Sequence, residues 1–198
     1  MKYRAIIFDW DGTLHDSIGY IIACFQKAAE DKHIPTPSVE AIKSIIPLLS
    51  DELMVPFYQQ YYDRLNAPML FSGVKEVLEQ LYRYGFLLGI ATGRPSTITN
   101  DLNRSGLSTY FIAARCGGET APKPNPQMLL EIMDELGVLA SETLMVGDMK
   151  SDMVLAKNAK VDALAVTYGI GKKDVLSLYS PAGYLAGIQQ LPKWLQIE

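Results

Sequence analysis

The stretch Tyr3-Arg4-Ala5-Ile6-Ile7-Phe8-Asp9-Trp10-Asp11-Gly12-Thr13-Leu14 decides how this chain is read. Residues Tyr3 to Phe8 read as a strand whose apolar character is continuous rather than alternating, as a strand covered on both faces requires. It ends in two carboxylates one residue apart, followed by a glycine that permits a tight turn. Strand alternation turns Trp10 away from Asp9 and Asp11, making it core or wall. Taken alone, the carboxylates could equally be strand-stopping or capping residues.

Four more aliphatic runs read as buried strands: Phe86 to Ala91, Tyr110 to Ala114, Thr143 to Val146 and Ala163 to Thr167. Between them Val74, Val77, Leu78, Leu81 and Tyr82 form one helical stripe. Met128, Leu129, Ile132, Met133 and Leu136 form another, with Gly137 placed to end the helix. Alternating strands and helices predict an α/β fold, a doubly wound parallel sheet with right-handed crossovers.

One interval breaks the alternation. From Asp16 to Leu70 there are 55 residues without a convincing strand, too many for a structureless loop in a compact domain. Ile18 to Asp31, Val39 to Leu48 and Leu53 to Leu65 have helical length, with Pro35, Pro37, Pro47 and Pro68 as punctuation. The expected organisation is a core of residues 1–15 and 71–198 with a small helical cap, residues 16–70, inserted over the strand C-termini, where ligands bind in such sheets.

The 198 residues are 48% hydrophobic and 20% charged, enough apolar material for one sizeable core. Eighteen Lys and Arg against 22 Asp and Glu, with no block of like charge, disfavour a generic nucleic-acid surface. No apolar run approaches the ~18 residues of a membrane-spanning helix, and the run after Arg4 is too short for a secretory signal. Cys24 and Cys116 lack a C-x-x-C spacing and read as small core residues. A soluble, cytoplasmic protein is expected.

The fourth strand runs into Gly147-Asp148, and Asp152 follows. If the parallel strands deliver their C-termini to one edge, Asp9, Asp11, Asp148 and Asp152 converge there. Two like charges ~4 Å apart at an effective dielectric of ~20 repel by ~4 kcal/mol. Such a cluster needs a cation, a proton or both, and hard oxygen ligands suit Mg2+ working together with a substrate phosphate. Thr92, directly after the second strand, and Lys123, in Pro122-Lys123-Pro124, fall at the same edge. A hydroxyl, an ammonium and nearby backbone N–H groups can hold a phosphoryl oxygen, although a lone Thr or Lys proves little.

It is the order of these pieces that is distinctive. Asp9-Trp10-Asp11-Gly12-Thr13-Leu14 with Asp16-Ser17, then Thr92, then Lys123-Pro124-Asn125-Pro126, then Gly147-Asp148 with Asp152, span nearly the whole chain. In this the chain resembles the haloacid dehalogenase-like hydrolase superfamily, specifically its phosphoglycolate phosphatase-like members with a helical cap after strand one and a Rossmann-like core. The resemblance implies Asp9 as nucleophile, Asp11 as general acid and base, and Thr92, Gly93 and Lys123 as phosphate holders. It also implies a Mg2+ site formed by Asp9, Asp11 through its backbone carbonyl, Asp148 and Asp152, the last as ligand or support.

Two features depart from that pattern. Thr92-Gly93-Arg94-Pro95 looks like the second motif of relatives with a large later cap, yet only 30 residues separate Thr92 from Lys123. Arg94 could face substrate, solvent or a carboxylate. Lys160 stands where relatives often have glycine, in a turn. His15 and His33 lack metal-ligand company, and Tyr58, Tyr61 and Tyr62 read as cap packing.

The expected activity is a Mg2+-dependent phosphatase acting through an aspartyl-phosphate on a small phosphorylated metabolite: phosphoglycolate, a sugar phosphate, a nucleotide or pyrophosphate. Dehalogenases expel a halide, which needs no proton, so Asp11 favours phosphoryl chemistry. A mutase with the same machinery and a phospho-accepting signalling module are the alternatives.

Overall fold

The computed structural model describes residues 2–46, 69–94 and 98–197. Six strands form one parallel sheet: β1 (Ala5–Phe8), β2 (Leu87–Ala91), β3 (Phe111–Arg115), β4 (Thr143–Gly147), β5 (Asp162–Val166) and β6 (Gly183–Leu185), in the order β3-β2-β1-β4-β5-β6. The five anticipated runs are strands within one or two residues of their expected ends. β6 was not anticipated, because three edge residues, two of them only half-buried, form no apolar run.

Eight α-helices are described: α1 (Ile18–Asp31), α2 (Val39–Ile45), α3 (Val74–Arg83), α4 (Ile98–Ser105), α5 (Gln127–Leu136), α6 (Lys150–Asn158), α7 (Lys173–Ser177) and α8 (Leu191–Leu195). Strand β1 shows why its run is unbroken. Ile6 and Phe8 pack with Val77, Leu78 and Leu81 of α3 on one face, while Ala5 and Ile7 pack with Ile132 of α5 and Leu155 of α6 on the other. Both faces are therefore dry, and the fold is an α/β, doubly wound, Rossmann-like sheet.

The expected stripe of α3 needs one correction. Val74, Val77, Leu78 and Leu81 are buried, but Tyr82 is 57% exposed and meets Tyr110 edge-on at 5.8 Å. Its phenol keeps one end in water, and the helix covers the sheet without it. The α5 stripe is buried throughout, and Gly137 caps that helix in the left-handed conformation at φ 62°.

Helices α1 and α2 follow β1 and pack on each other through Ile21, Cys24, Ile42 and Ile46, a small apolar cluster of their own. Ser38 starts α2 by accepting the Ala41 N–H on its side chain. The expected helix from Leu53 to Leu65, with Pro47, Pro68 and the three tyrosines, lies outside the described residues, as does Pro95. Cys24 and Cys116 are buried free thiols. No helix among the described residues is long and apolar enough to cross a membrane.

Candidate active site

Strand register sets the site. Phe8 of β1 pairs with Ile90 of β2 on one side and Val146 of β4 on the other. Asp9 therefore leaves the sheet between Thr92, two residues beyond Ile90, and Asp148, two residues beyond Val146. Gly12, at φ 83°, closes the turn after β1, and its N–H donates to the His15 carbonyl at 2.9 Å.

Carboxylate oxygens of Asp9, Asp148 and Asp152 all lie within 4.8 Å of one another, and all three residues are buried. Lys123 Nζ reaches into this group, 2.7 Å from Asp9 Oδ1 and 2.7 Å from Asp152 Oδ1. Its loop is tied to α6 by the Asn158 amide, which donates to the Pro124 carbonyl at 2.9 Å. Asp152 spends its other oxygen accepting the Met149 N–H at the start of α6. The Thr13 hydroxyl stands 3.4 Å from both Asp9 Oδ2 and Asp148 Oδ1, so it donates to one of them at a time.

Asp148 is held more closely still. Its Oδ2 accepts the Ile170 N–H at 2.7 Å. A Cβ at Gly12 or at Gly169 would overlap its carboxylate, so the backbone touches the side chain on two sides. Gly169-Ile170-Gly171 was not singled out in the sequence. The signal was available, since two glycines just past a strand mark close backbone approach.

The electrostatics follow from that crowding. Burial pushes the Asp9 carboxyl well above its ordinary range against the pull of Lys123, and the charges of Asp152 and Asp148 add to the rise. Burial, then Asp152, pushes Asp148 up to about 7 despite the Ile170 and Gly171 N–H groups and Lys123. Ionising all three carboxyls against the one ammonium would leave net negative charge, which a divalent cation would neutralise. Hard oxygen donors at this spacing fit Mg2+.

The side chain of Asp11 does not join this group. Its Oδ1 faces His15 Nδ1 at 3.0 Å and its Oδ2 accepts from Arg94 Nε at 2.9 Å. Burial would raise its carboxyl, but Arg94 and His15 outweigh it and hold Asp11 well below the usual carboxylate range. Any ligation by Asp11 would fall to its backbone oxygen, which is how the resemblance has it. Of the three environments open to Arg94, the structure shows pairing with carboxylates: Asp11, and Asp101 of α4. The role of His15 was missed, because its contact with Asp11 exists only once the Gly12 turn is made.

Thr92 is buried, and its Oγ1 accepts the Arg94 N–H at 3.1 Å, leaving the hydroxyl proton available to a ligand. Gly93 lies in the bend between them. Beside the Gly12 turn is a cavity of about 320 Å³ bounded by Asp16, Ile18, Phe71 and Tyr168, with Lys43 of α2 and Lys172 at its rim.

A model of the haloacid dehalogenase-like hydrolase family matches residues 6–166. The chain belongs to that family. It is 32% identical to the phosphoglycolate phosphatase of Vibrio parahaemolyticus, an alignment covering 90% of each protein. It is 30% identical to the pyrophosphatase PpaX of Halalkalibacterium halodurans, covering 96% of each. A haloacid dehalogenase-like family hydrolase from Streptococcus pneumoniae superposes with a TM-score of 0.88 over 98% of this chain and 99% of that one, at 22% identity. The chain is thus a hydrolase of the family, similar to its phosphoglycolate phosphatase-like members.

Proposed function

We propose that this protein is a Mg2+-dependent phosphatase that hydrolyses a small phosphorylated metabolite through an aspartyl-phosphate on Asp9. The observation that carries the reading is the buried group of Asp9, Asp148, Asp152 and Lys123 at the C-terminal edge of the sheet. Two relatives, a phosphoglycolate phosphatase and a pyrophosphatase, support the reaction class.

Asp9, Asp148 and the Asp11 backbone carbonyl would hold the ion. Asp152, both of whose oxygens already serve Lys123 and Met149, suits a supporting place. Bound there, Mg2+ would neutralise phosphoryl oxygens and so lower the cost of bringing a carboxylate to an anionic ester. Lys123, the Thr92 hydroxyl and the backbone N–H of Gly93 would bind the remaining oxygens.

Asp9 would attack phosphorus in line, and the ester P–O bond would break with its electron pair leaving on the alcohol oxygen. Asp11, ionised by Arg94 and His15, would first have to take up a proton from solvent against their pull; it would then protonate that oxygen and later take a proton from water as it attacks the aspartyl-phosphate, releasing inorganic phosphate and restoring Asp9. Residues 16–70 would act as the cap that excludes bulk water and limits substrate size. Lys43 and Lys172 at the cavity rim suit a substrate carrying further negative charge.

The test is phosphate release from a panel of phosphoglycolate, sugar phosphates, nucleotides and pyrophosphate, with and without Mg2+. Turnover that needs Mg2+ and is abolished in a folded Asp9→Asn variant is expected. A folded, Mg2+-loaded protein inactive on the whole panel would overturn the reading, and phosphoryl migration without phosphate release would replace it with a mutase.

A further inference from the structure

Arg94 is a large cation buried to 1% of its surface, two residues past Thr92. Its Nε donates to Asp11 Oδ2 at 2.9 Å, and its Nη1 donates to Asp101. The other Asp11 oxygen meets His15 Nδ1 at 3.0 Å. His15, also 1% exposed, stacks on Trp10 with ring centroids 5.7 Å apart and lies against Tyr20 of α1 at 6.0 Å.

One donor on each oxygen fixes the plane of a carboxylate as well as its position. Both donors are themselves anchored. Arg94 is held at Nη1 by Asp101 and at its backbone by Thr92, and His15 by two aromatic rings and by the turn hydrogen bond to Gly12. As a stabiliser such a group is weak, since the cost of desolvating the charges offsets their attraction and apolar residues of similar volume would serve the fold as well. What it does supply is a fixed orientation for one carboxylate.

We propose that Arg94 and His15 are positioning residues that orient the Asp11 carboxylate for proton transfer, with Asp101 holding Arg94 in place. The inference rests on the reading of Asp11 as the acid and base of a phosphatase. It also makes α1 a neighbour of the proton-transfer machinery, because Tyr20 contacts the ring that contacts Asp11.

The experiment compares two esters whose leaving groups need a proton to different degrees. 4-Nitrophenolate departs without one, whereas an alkoxide does not. The parameter is kcat/KM, which for this scheme reports the steps up to ester cleavage and not the later hydrolysis of the aspartyl-phosphate. The alkyl monoester is the one turned over fastest in the phosphate-release panel. In Arg94→Lys, which keeps the charge but loses the planar fork, and in His15→Phe, which keeps a stacked ring, the alkyl-to-aryl ratio of kcat/KM is expected to fall at least tenfold. His15→Asn, whose amide N–H can replace Nδ1, is expected to restore the ratio. In an Asp11→Asn background neither substitution should lower it further.

Equal losses on both esters, or a further fall in the Asp11→Asn background, would reduce these residues to a structural role and overturn the inference. A parent protein inactive on the whole panel and on 4-nitrophenyl phosphate would overturn the phosphatase reading and the inference with it.

Discussion

Lys123 Nζ stands 2.7 Å from Asp9 and 2.7 Å from Asp152, so one ammonium bridges the end of the first strand and the start of the helix after the fourth. The carboxylate at Asp9 is thereby aimed by a residue 114 positions away. Under the proposed mechanism the same ammonium sits where charge develops on the transferring phosphoryl group.

Replacing it tests both functions. Lys123→Met keeps the length of the side chain and removes the charge. Loss of one such electrostatic contact in an active site lowers kcat by about 10²–10³-fold, and that is the expected fall. The three carboxylates would also lose their protein cation, so thermal unfolding should be raised by Mg2+ more in the variant than in the parent. Melting curves with and without Mg2+ check this.

Metal binding should depend on pH with a definite sign. Burial pushes the Asp148 carboxyl up to about 7, and that of Asp9 is raised as well. A carboxyl whose folded pKa exceeds its unfolded value near 4 binds more protons in the native state, so metal-free stability falls as pH rises from about 4 to about 7. Mg2+ must displace those protons, and its affinity should rise over the same interval. The Mg2+-induced shift in Tm, measured at fixed Mg2+ from pH 5 to pH 8, is expected to grow with pH. A shift that shrinks would contradict the assignment of these carboxylates to the metal.

The two cysteines should be inert. Burial, ahead of any charge, pushes the Cys24 thiol up to about 11 and the Cys116 thiol up to about 12. Since the thiolate is the reactive form, iodoacetamide at pH 8 should leave both unmodified in native protein over a period that alkylates both in denaturant. Intact mass distinguishes the outcomes.

What the sequence disclosed and what it withheld have one physical explanation. Asp9, Asp148, Thr92 and Lys123 were legible because each follows an apolar run or a proline-marked loop, and parallel strands bring such positions to one edge. Their convergence needed only topology. His15, Arg94 and Gly169 depend on how a turn folds back and which side chain fills a given space, and those are decided by contacts over 83 residues for Arg94 with Asp11 and over 22 for the loop that holds Asp148. The short strand β6 was illegible for a different reason. It borrows its place from β5 and contributes little apolar surface of its own.

Gly169 offers the strictest test of the cradle around Asp148. A methyl group there would overlap the Asp148 carboxylate and the Gly12 carbonyl at once. Neither neighbour can retreat easily, since Asp148 is buried and bonded to the Ile170 N–H, and Gly12 lies in the turn that follows Asp9 and Asp11. Gly169→Ala is therefore expected to cost about 1–3 kcal/mol through overpacking. It should also weaken Mg2+ binding by about 10–100-fold, the usual effect of disturbing the groups that orient a metal ligand. Gly19→Ala is the matched control. It adds the same methyl group on α1, where no atom of the described residues beyond the local helix backbone lies within 4 Å, and helix propensity favours alanine by up to about 1 kcal/mol. Melting temperature and Mg2+ titration should separate the two: lower stability and weaker binding for Gly169→Ala, unchanged or higher stability with unchanged binding for Gly19→Ala. Normal Mg2+ affinity in a folded Gly169→Ala protein would mean that Asp148 does not need this backbone to hold its place, and the metal site would have to be drawn without it.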